Sequence, residues 1–266
     1  MLQATDIHFC IQNRPIVNKA SIKLLPGELT VILGPNGAGK SSLFKVLSGD
    51  IQCRHGNVLY NGKTLSAYKT SQLAQIRAVM PQHSTLSFPF TVQEVVELGL
   101  LPLKNDFKQE TVREVMEETQ TWHLRDCDYS VLSGGEKQRV QLSRVLVQIW
   151  EKKPYPRFLL LDEPTSSMDI ALQHHVLAII QKIKSRNIAV LAILHDLNLA
   201  ANYADQVVLM KNGNVMFQGP ARKTMTASKL MEVFDHPISV FEGDSHRPTV
   251  IHTVPFSQID QQIKHA

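Results

Sequence analysis

A chain of 266 residues with 43% hydrophobic and 20% charged side chains holds ample apolar material for a core, which excludes a disordered chain. Its net charge of +4 is too small to select nucleic acid, a membrane surface or a protein as partner. Cys10, Cys53 and Cys127 show no CxxC or metal spacing and fit a reducing compartment rather than a disulfide framework.

The length is generous for one mixed domain and short for two, so a single domain with an insertion is expected. The first ten residues place Asp6 and His8 among apolar ones, which is neither a secretory h-region nor a basic presequence. Apolar runs such as FLLL and AVLAIL fall far short of the ~18 residues that span a bilayer. Any pore must therefore come from another chain.

From Ala4 to Leu33, short apolar runs separated by polar and turn residues predict strands, the last following the turn Pro26-Gly27-Glu28. In SSLFKVLSG, the spacing of Leu43, Val46 and Leu47 predicts a helix that stops at Gly49. GNVLYNGK reads as a strand and turn, and AVMP as a short strand closed by Pro81. Between His83 and Lys153 the strand signal gives way to helical periods in TVQEVVELGLL, KQETVREVMEETQ and GGEKQRVQLSRVLVQIW. The β/α alternation then resumes with FLLLD, ALQHHVLAIIQKIK, AVLAIL and DLNLAANYA, as a parallel sheet with crossover helices requires. Asn212-Gly213 between two apolar runs predicts a hairpin, and the last ~25 residues are weakly patterned.

GPNGAGKS, following one apolar strand and preceding one helix, has the form of a phosphate-binding loop. Gly34, Pro35, Asn36, Gly37, Ala38, Gly39, Lys40, Ser41 and Ser42 form the candidate nucleotide site. The glycines let backbone N–H groups turn toward the β-phosphate, and the helix N-terminus favours the anion. Lys40 would reach the β- and γ-phosphates, and Ser41 would ligate Mg²⁺. FLLLDE is an apolar run ending in two acids: Asp162 as a magnesium ligand, and Glu163 as general base on the attacking water. LSGGEKQR opens a helix, so Ser133, Gly134, Gly135 and Glu136 mark a second anion-binding helix end. One nucleotide does not need two such ends from one subunit, which predicts a symmetric homodimer with ATP sandwiched between copies.

GPNGAGKS, MPQ, LSGGEKQR, FLLLDEPTSSMD and ILHD stand in the order and spacing of ABC-transporter ATPases, and the resemblance covers residues 2–240. It implies an α/β P-loop NTPase: a RecA-like core with an antiparallel β subdomain and an inserted α-helical subdomain. The implied boundaries are a cassette at 2–242, with core at 2–82 and 155–242 and helical subdomain at 83–154, then an extension at 243–266. Gln82 resembles the Q-loop glutamine, which touches Mg²⁺ and the attacking water. His195 resembles the switch histidine at the γ-phosphate, and Asp169 the D-loop aspartate at the dimer seam, although Ser167-Met168 replaces the commoner Ala-Leu pair. The family's adenine-stacking aromatic should fall near Ile11, where only Phe9 is aromatic, which implies weak discrimination between ATP and GTP.

FPFTVQEVVELGLLP and AILHDLNLAANYADQVVLMKNGNVMFQG resemble the ATPases of importers for iron chelates, haem and cobalamin. The proline-containing stretch QIWEKKPYPRFLLLDEPTSSMDIALQHHVL is most similar to the haemin-import branch. That resemblance implies a peripheral subunit on the cytoplasmic face of the bacterial inner membrane. Its partners would be two copies of a polytopic permease and, through them, a periplasmic haem-binding protein, with no nucleic acid. A siderophore or cobalamin importer remains open. So does a soluble ABC ATPase acting on nucleic acid or ribosomes, although such proteins usually carry long coiled coils or two fused cassettes.

Overall fold

Residues 1–53, 55–82, 89–103, 109–244 and 247–255 are described by a computed structural model. The first half runs β1 (Leu2–Ile11), β2 (Arg14–Leu24), β3 (Leu29–Leu33), α1 (Lys40–Ser48), β4 (His55–Tyr60), β5 (Lys63–Thr64), α2 (Thr70–Ile76) and β6 (Arg77–Met80). Then come α3 (Val92–Glu97), which passes into a 3-10 segment at Leu98–Leu103, α4 (Gln109–Glu118) and α5 (Gly134–Ile149). The second half has β7 (Arg157–Asp162), α6 (Ile170–Lys184), β8 (Ile188–Ile193), α7 (Leu197–Tyr203), β9 (Gln206–Lys211) and β10 (Asn214–Pro220). Last are α8 (Ala221–Thr224), α9 (Ala227–Phe234), β11 (Ile238–Phe241) and β12 (Val250–Thr253).

Among the described residues, the central sheet has the order β10-β9-β3-β8-β7-β6, parallel throughout except for β10. Its strands are continuous apolar runs because both faces are covered. Leu159, Leu161, Val190 and Ala192 point into one core cluster with α5, α6 and the helical insertion. Phe158, Leu160, Leu191 and Ile193, alternating with them, point into a second cluster with α1 and the antiparallel sheet β2-β1-β4-β5. Tyr60 ties these layers together: its ring packs edge-on to Phe158 at 4.8 Å and its buried hydroxyl donates to Leu47 O at 2.7 Å. Burial pushes that phenol far above its ordinary pKa, so it stays a donor.

The expected insertion of helices after β6 is present as α3, α4 and α5, which pack on one another. Gly99 sits where a side chain has no room, since an added Cβ would lie 2.0 Å from Arg144 O on α5. Gly99→Ala should therefore push the 3-10 segment off α5 and lower stability by about 1–3 kcal/mol. Urea unfolding measures this, and an unchanged midpoint would refute the contact's importance.

Three features were not legible beforehand. α2 and α9 are short, and the seven residues of α2 bury only Ile76, too little for a periodic signal. β11 and β12 pair antiparallel although each has only four residues, so residues 250–253 complete a hairpin that begins before residue 242. Residues 83–88, just after Gln82, and 256–266 of the expected extension lie outside the described residues.

Candidate nucleotide site

Strand register gathers the site. Ile32 of β3 and Asp162 of β7 both pair with Ile193 of β8, and Met80 of β6 pairs with Leu161 of β7. Parallel strands deliver their carboxyl ends to one edge. Gly34 follows β3, Glu163 follows β7, and His195 lies two residues past β8, so all three emerge there. Gln82, two residues past β6, leaves the sheet at the same edge and is exposed.

The loop between β3 and α1 is held from behind. A Cβ at Gly34 would lie 2.2 Å from Met210 O, and one at Gly39 would lie 2.4 Å from Ile16 O, so the backbones of β9 and β2 leave room for hydrogen alone. Gly213 N donates to Ala38 O at 3.0 Å, and Asn18 N donates to Gly213 O at 2.8 Å. The Asn212-Gly213 turn, expected only as a hairpin, is thus also a buttress of the loop. On the other side, Asn36 and Gly37 are exposed, and a Cβ at Gly37 would meet nothing within 4 Å.

Gly39, at φ +94°, caps α1, whose first-turn amides at Lys40, Ser41 and Ser42 have no intrahelical carbonyl to bond. Lys40 is 6% exposed, and its Nζ donates to Gly34 O at 2.8 Å and Pro35 O at 3.0 Å, which holds the ammonium over the loop. Burial lowers its pKa, and the charges of Glu163 and Asp162 partly restore it.

Asp162 is 3% exposed and its Oδ1 is buried without a hydrogen-bond partner among the described residues. Burial first, then the neighbouring Glu163 charge, push its pKa up to about 6, against the pull of Lys45, His195 and Lys40. A buried carboxylate oxygen without a hydrogen-bond partner among the described residues, within reach of the Lys40 charge at the glycine loop, fits a hard divalent cation with oxygen ligands. Glu163 accepts a 2.6 Å hydrogen bond on Oε1 from His195 Nε2, so the expected base and the expected γ-phosphate histidine form one unit. Glu163 holds φ +55° without being glycine, a conformation that costs about 1–2 kcal/mol.

Ser133 N-caps α5 in a capping box: its Oγ donates to Glu136 Oε2 at 2.6 Å, and its N–H reaches the same oxygen at 2.9 Å. These bonds lower the Glu136 pKa. Glu136 therefore builds the helix end, leaving Gly134 and Gly135 as its open backbone. That tip packs on the segment after β7, where a Cβ at Gly135 would lie 2.9 Å from Ser167 O. Asp169 N-caps α6, accepting from Leu172 N at 2.8 Å, and its neighbour Ile170 is 75% exposed. Phe9 packs partly buried against the core, so the half-exposed Ile11 is the apolar surface at the end of the β1–β2 hairpin.

Sequence reasoning missed Gln138 and Ser166. Gln138 Nε2 donates to Glu163 O and to Ser166 Oγ, at 2.5 and 2.8 Å. The available signal was helical spacing, which puts Gln138 on the face of Gly134 and Gly135.

A parallel sheet that turns through a glycine loop into a helix, with a buried acid on the strand next but one, defines a nucleoside triphosphatase of the P-loop class. The sequence model described as ABC transporter matches residues 17–166, and the chain belongs to that family. It is an ATP-binding subunit of ABC type, an ATPase. It is 46% identical over 224 residues to the hemin import ATP-binding protein HmuV of Gloeobacter violaceus, covering 82% of each chain. It is 40% identical over 253 residues to that of Escherichia coli O157:H7, covering 94% of this chain and 99% of the relative. Among solved structures, an ATP-binding cassette of an ABC transporter superposes with TM-score 0.75 at 25% identity, over 88% of this chain and 98% of that one. An inward-facing transporter of the metal-chelate type shares the fold at TM-score 0.77 and 24% identity, over 96% and 97%. Among the described residues, no helix is long and apolar enough to cross a membrane.

Proposed function

We propose that this chain drives haem import by binding and hydrolysing ATP as a homodimer on a separate permease. The observation that carries the chemistry is the convergence, on one sheet edge, of the Lys40 loop, the unpartnered Asp162 Oδ1 and the hydrogen-bonded Glu163–His195 pair. The haem assignment rests on the hemin import proteins at 46% and 40% identity.

Residues 34–42 wrap the triphosphate, with Lys40 shifting from the Gly34 and Pro35 carbonyls to the β- and γ-oxygens. Ser41, Asp162 and Gln82 would hold Mg²⁺, which when bound neutralises charge on the phosphate oxygens. Glu163 takes the proton of the attacking water, and His195 leaves Glu163 Oε1 to turn its N–H to the γ-phosphate. Ser133, Gly134 and Gly135 complete the partner's site. Val131 and Ile170, each 75% exposed beside that tip and beside Asp169, supply apolar surface for such a seam.

The permease docks in the groove of about 790 Å³ between core and helical insertion, lined by Gly49, Arg77, Leu98, Pro102 and Arg144. Arg77 Nε and Nη1 and Arg144 Nε are buried there without hydrogen-bond partners among the described residues, which suits an incoming polar segment. Closing the dimer pulls the helical insertions together, and that movement is passed to the permease. The boundaries at 2–242, with helical insertion 83–154 and extension 243–266, and a place on the inner face of the bacterial inner membrane, belong to this reading.

The test is to purify the chain with its membrane partner, reconstitute both in liposomes, and supply haem, a ferric siderophore and cobalamin in turn. ATP-dependent movement of haem above the other two is expected. Preference for another cargo would overturn the haem assignment alone, and failure to recover any membrane partner would overturn the transport reading.

A further inference from the structure

We propose that Gln138 is a positioning residue that holds Glu163 in its catalytic pose and ties that pose to the helix end gripping the other nucleotide. The inference rests on the dimeric reading above.

Glu163 stands immediately after a rigid buried strand but in a left-handed backbone conformation, and Ser167 four residues on is left-handed too, at φ +59°. Such residues persist only where the surroundings over-determine them. The Glu163 carbonyl accepts from three donors: Gln138 Nε2 at 2.5 Å, Ser166 Oγ at 3.1 Å and Ser166 N at 3.2 Å. Two of the three are local to the turn. Gln138 alone reaches in from another element, 25 positions earlier in the chain. Its amide has two hydrogens, and they match two acceptors, the Glu163 carbonyl and the Ser166 hydroxyl. Ser166 in turn donates its own hydrogen to the Glu163 carbonyl, which closes the network.

Gln138 lies on α5 five residues after its cap Ser133, in the first turns of a sixteen-residue helix. On the same face, Gly135 abuts Ser167 O so closely that no Cβ fits. The end of α5 and the turn carrying Glu163 therefore cannot move independently without breaking these bonds. A shift of α5 on gripping the partner's phosphates would be felt at the carbonyl of this chain's own base. Because a misplacement of 1 Å can cost about 10²-fold in rate, the link has catalytic weight without Gln138 touching substrate.

The test uses the full chain and steady-state ATP hydrolysis for Gln138→Ala and for Gln138→Glu, which keeps the shape but turns an acceptor toward the carbonyl. Both should lose kcat about 10- to 100-fold, with KM for ATP within about twofold, since the binding contacts at residues 34–42 are untouched. Melting temperatures should stay near the wild type. Combined with Glu163→Gln, either substitution should lower the residual rate no further, because Gln138 acts through that carboxylate. Full kcat in both variants, a parallel rise in KM, or an equal loss in the Glu163→Gln background would each overturn the proposal. Normal turnover by Glu163→Gln alone would instead remove the base assignment, and this inference with it.

Discussion

Glu163→Gln should lower steady-state hydrolysis about 10²- to 10⁴-fold while leaving ATP bound. The substitution keeps the side chain's length and its place beside His195, but an amide cannot take the proton of the attacking water. General-base catalysis contributes about 10²- to 10⁴-fold, which sets the expected drop in kcat. The structure makes the result specific to chemistry, because Glu163 lies past the loop of residues 34–42 and bonds His195 rather than any residue of that loop. ATP affinity should therefore change little, and ATP-dependent dimers should accumulate, visible by size-exclusion chromatography. A Glu163→Gln protein that turns over at the wild-type rate would show that another group activates water.

Lys40→Ala should have the opposite profile, with nucleotide binding lost at the first step. The buried Lys40 ammonium is held by carbonyls alone and sits near two acids, an arrangement poised to exchange neutral acceptors for phosphate oxygens. Removing one partner of a buried charge pair costs about 2–5 kcal/mol, roughly 30- to 5,000-fold in affinity. The folded chain without nucleotide should not suffer, because the lost ammonium carried a desolvation penalty and its loop is anchored through Gly34, Gly39 and Ala38 to other backbones. Saturating ATP should then raise the melting temperature of the wild type but not of Lys40→Ala, as ligand linkage requires. A variant that binds nucleotide as the wild type does, by fluorescent-nucleotide titration, would remove Lys40 from the phosphate-gripping role.

These outcomes are separable because the site is assembled from pieces with different jobs. In the proposed mechanism the loop at 34–42 binds through backbone and one cation, and the edge of β7 and β8 supplies the chemistry. The tip of α5 packs through Gly135 on the segment after β7, while Ser133 and Gly134 at its end are exposed. A helix end so exposed, flanked by apolar Val131, is consistent with completion by a second copy.

What the sequence determined by itself was whatever is written locally. The strand–loop–helix at 29–48 needs only an apolar run, glycines at fixed spacing and one helical face, and Leu29–Leu33 and Lys40–Ser48 stand where these predict. The two-residue turn at Asn212-Gly213 is equally local, with φ +49° and +79°. The acids ending FLLLDE were legible because a strand buried on both faces cannot hide its polar end. The tertiary structure alone decided what depends on elements distant in the chain. Register set Ile32 and Asp162 against the same Ile193, and so put His195 in hydrogen-bond reach of Glu163. The Gly213 turn came to brace Ala38, Gln138 to hold the Glu163 carbonyl, and two four-residue strands to pair as β11 and β12. No local pattern encodes such contacts, because each depends on where the packing of a whole layer sets two backbones, and a single side chain's preference for its own conformation carries no record of that.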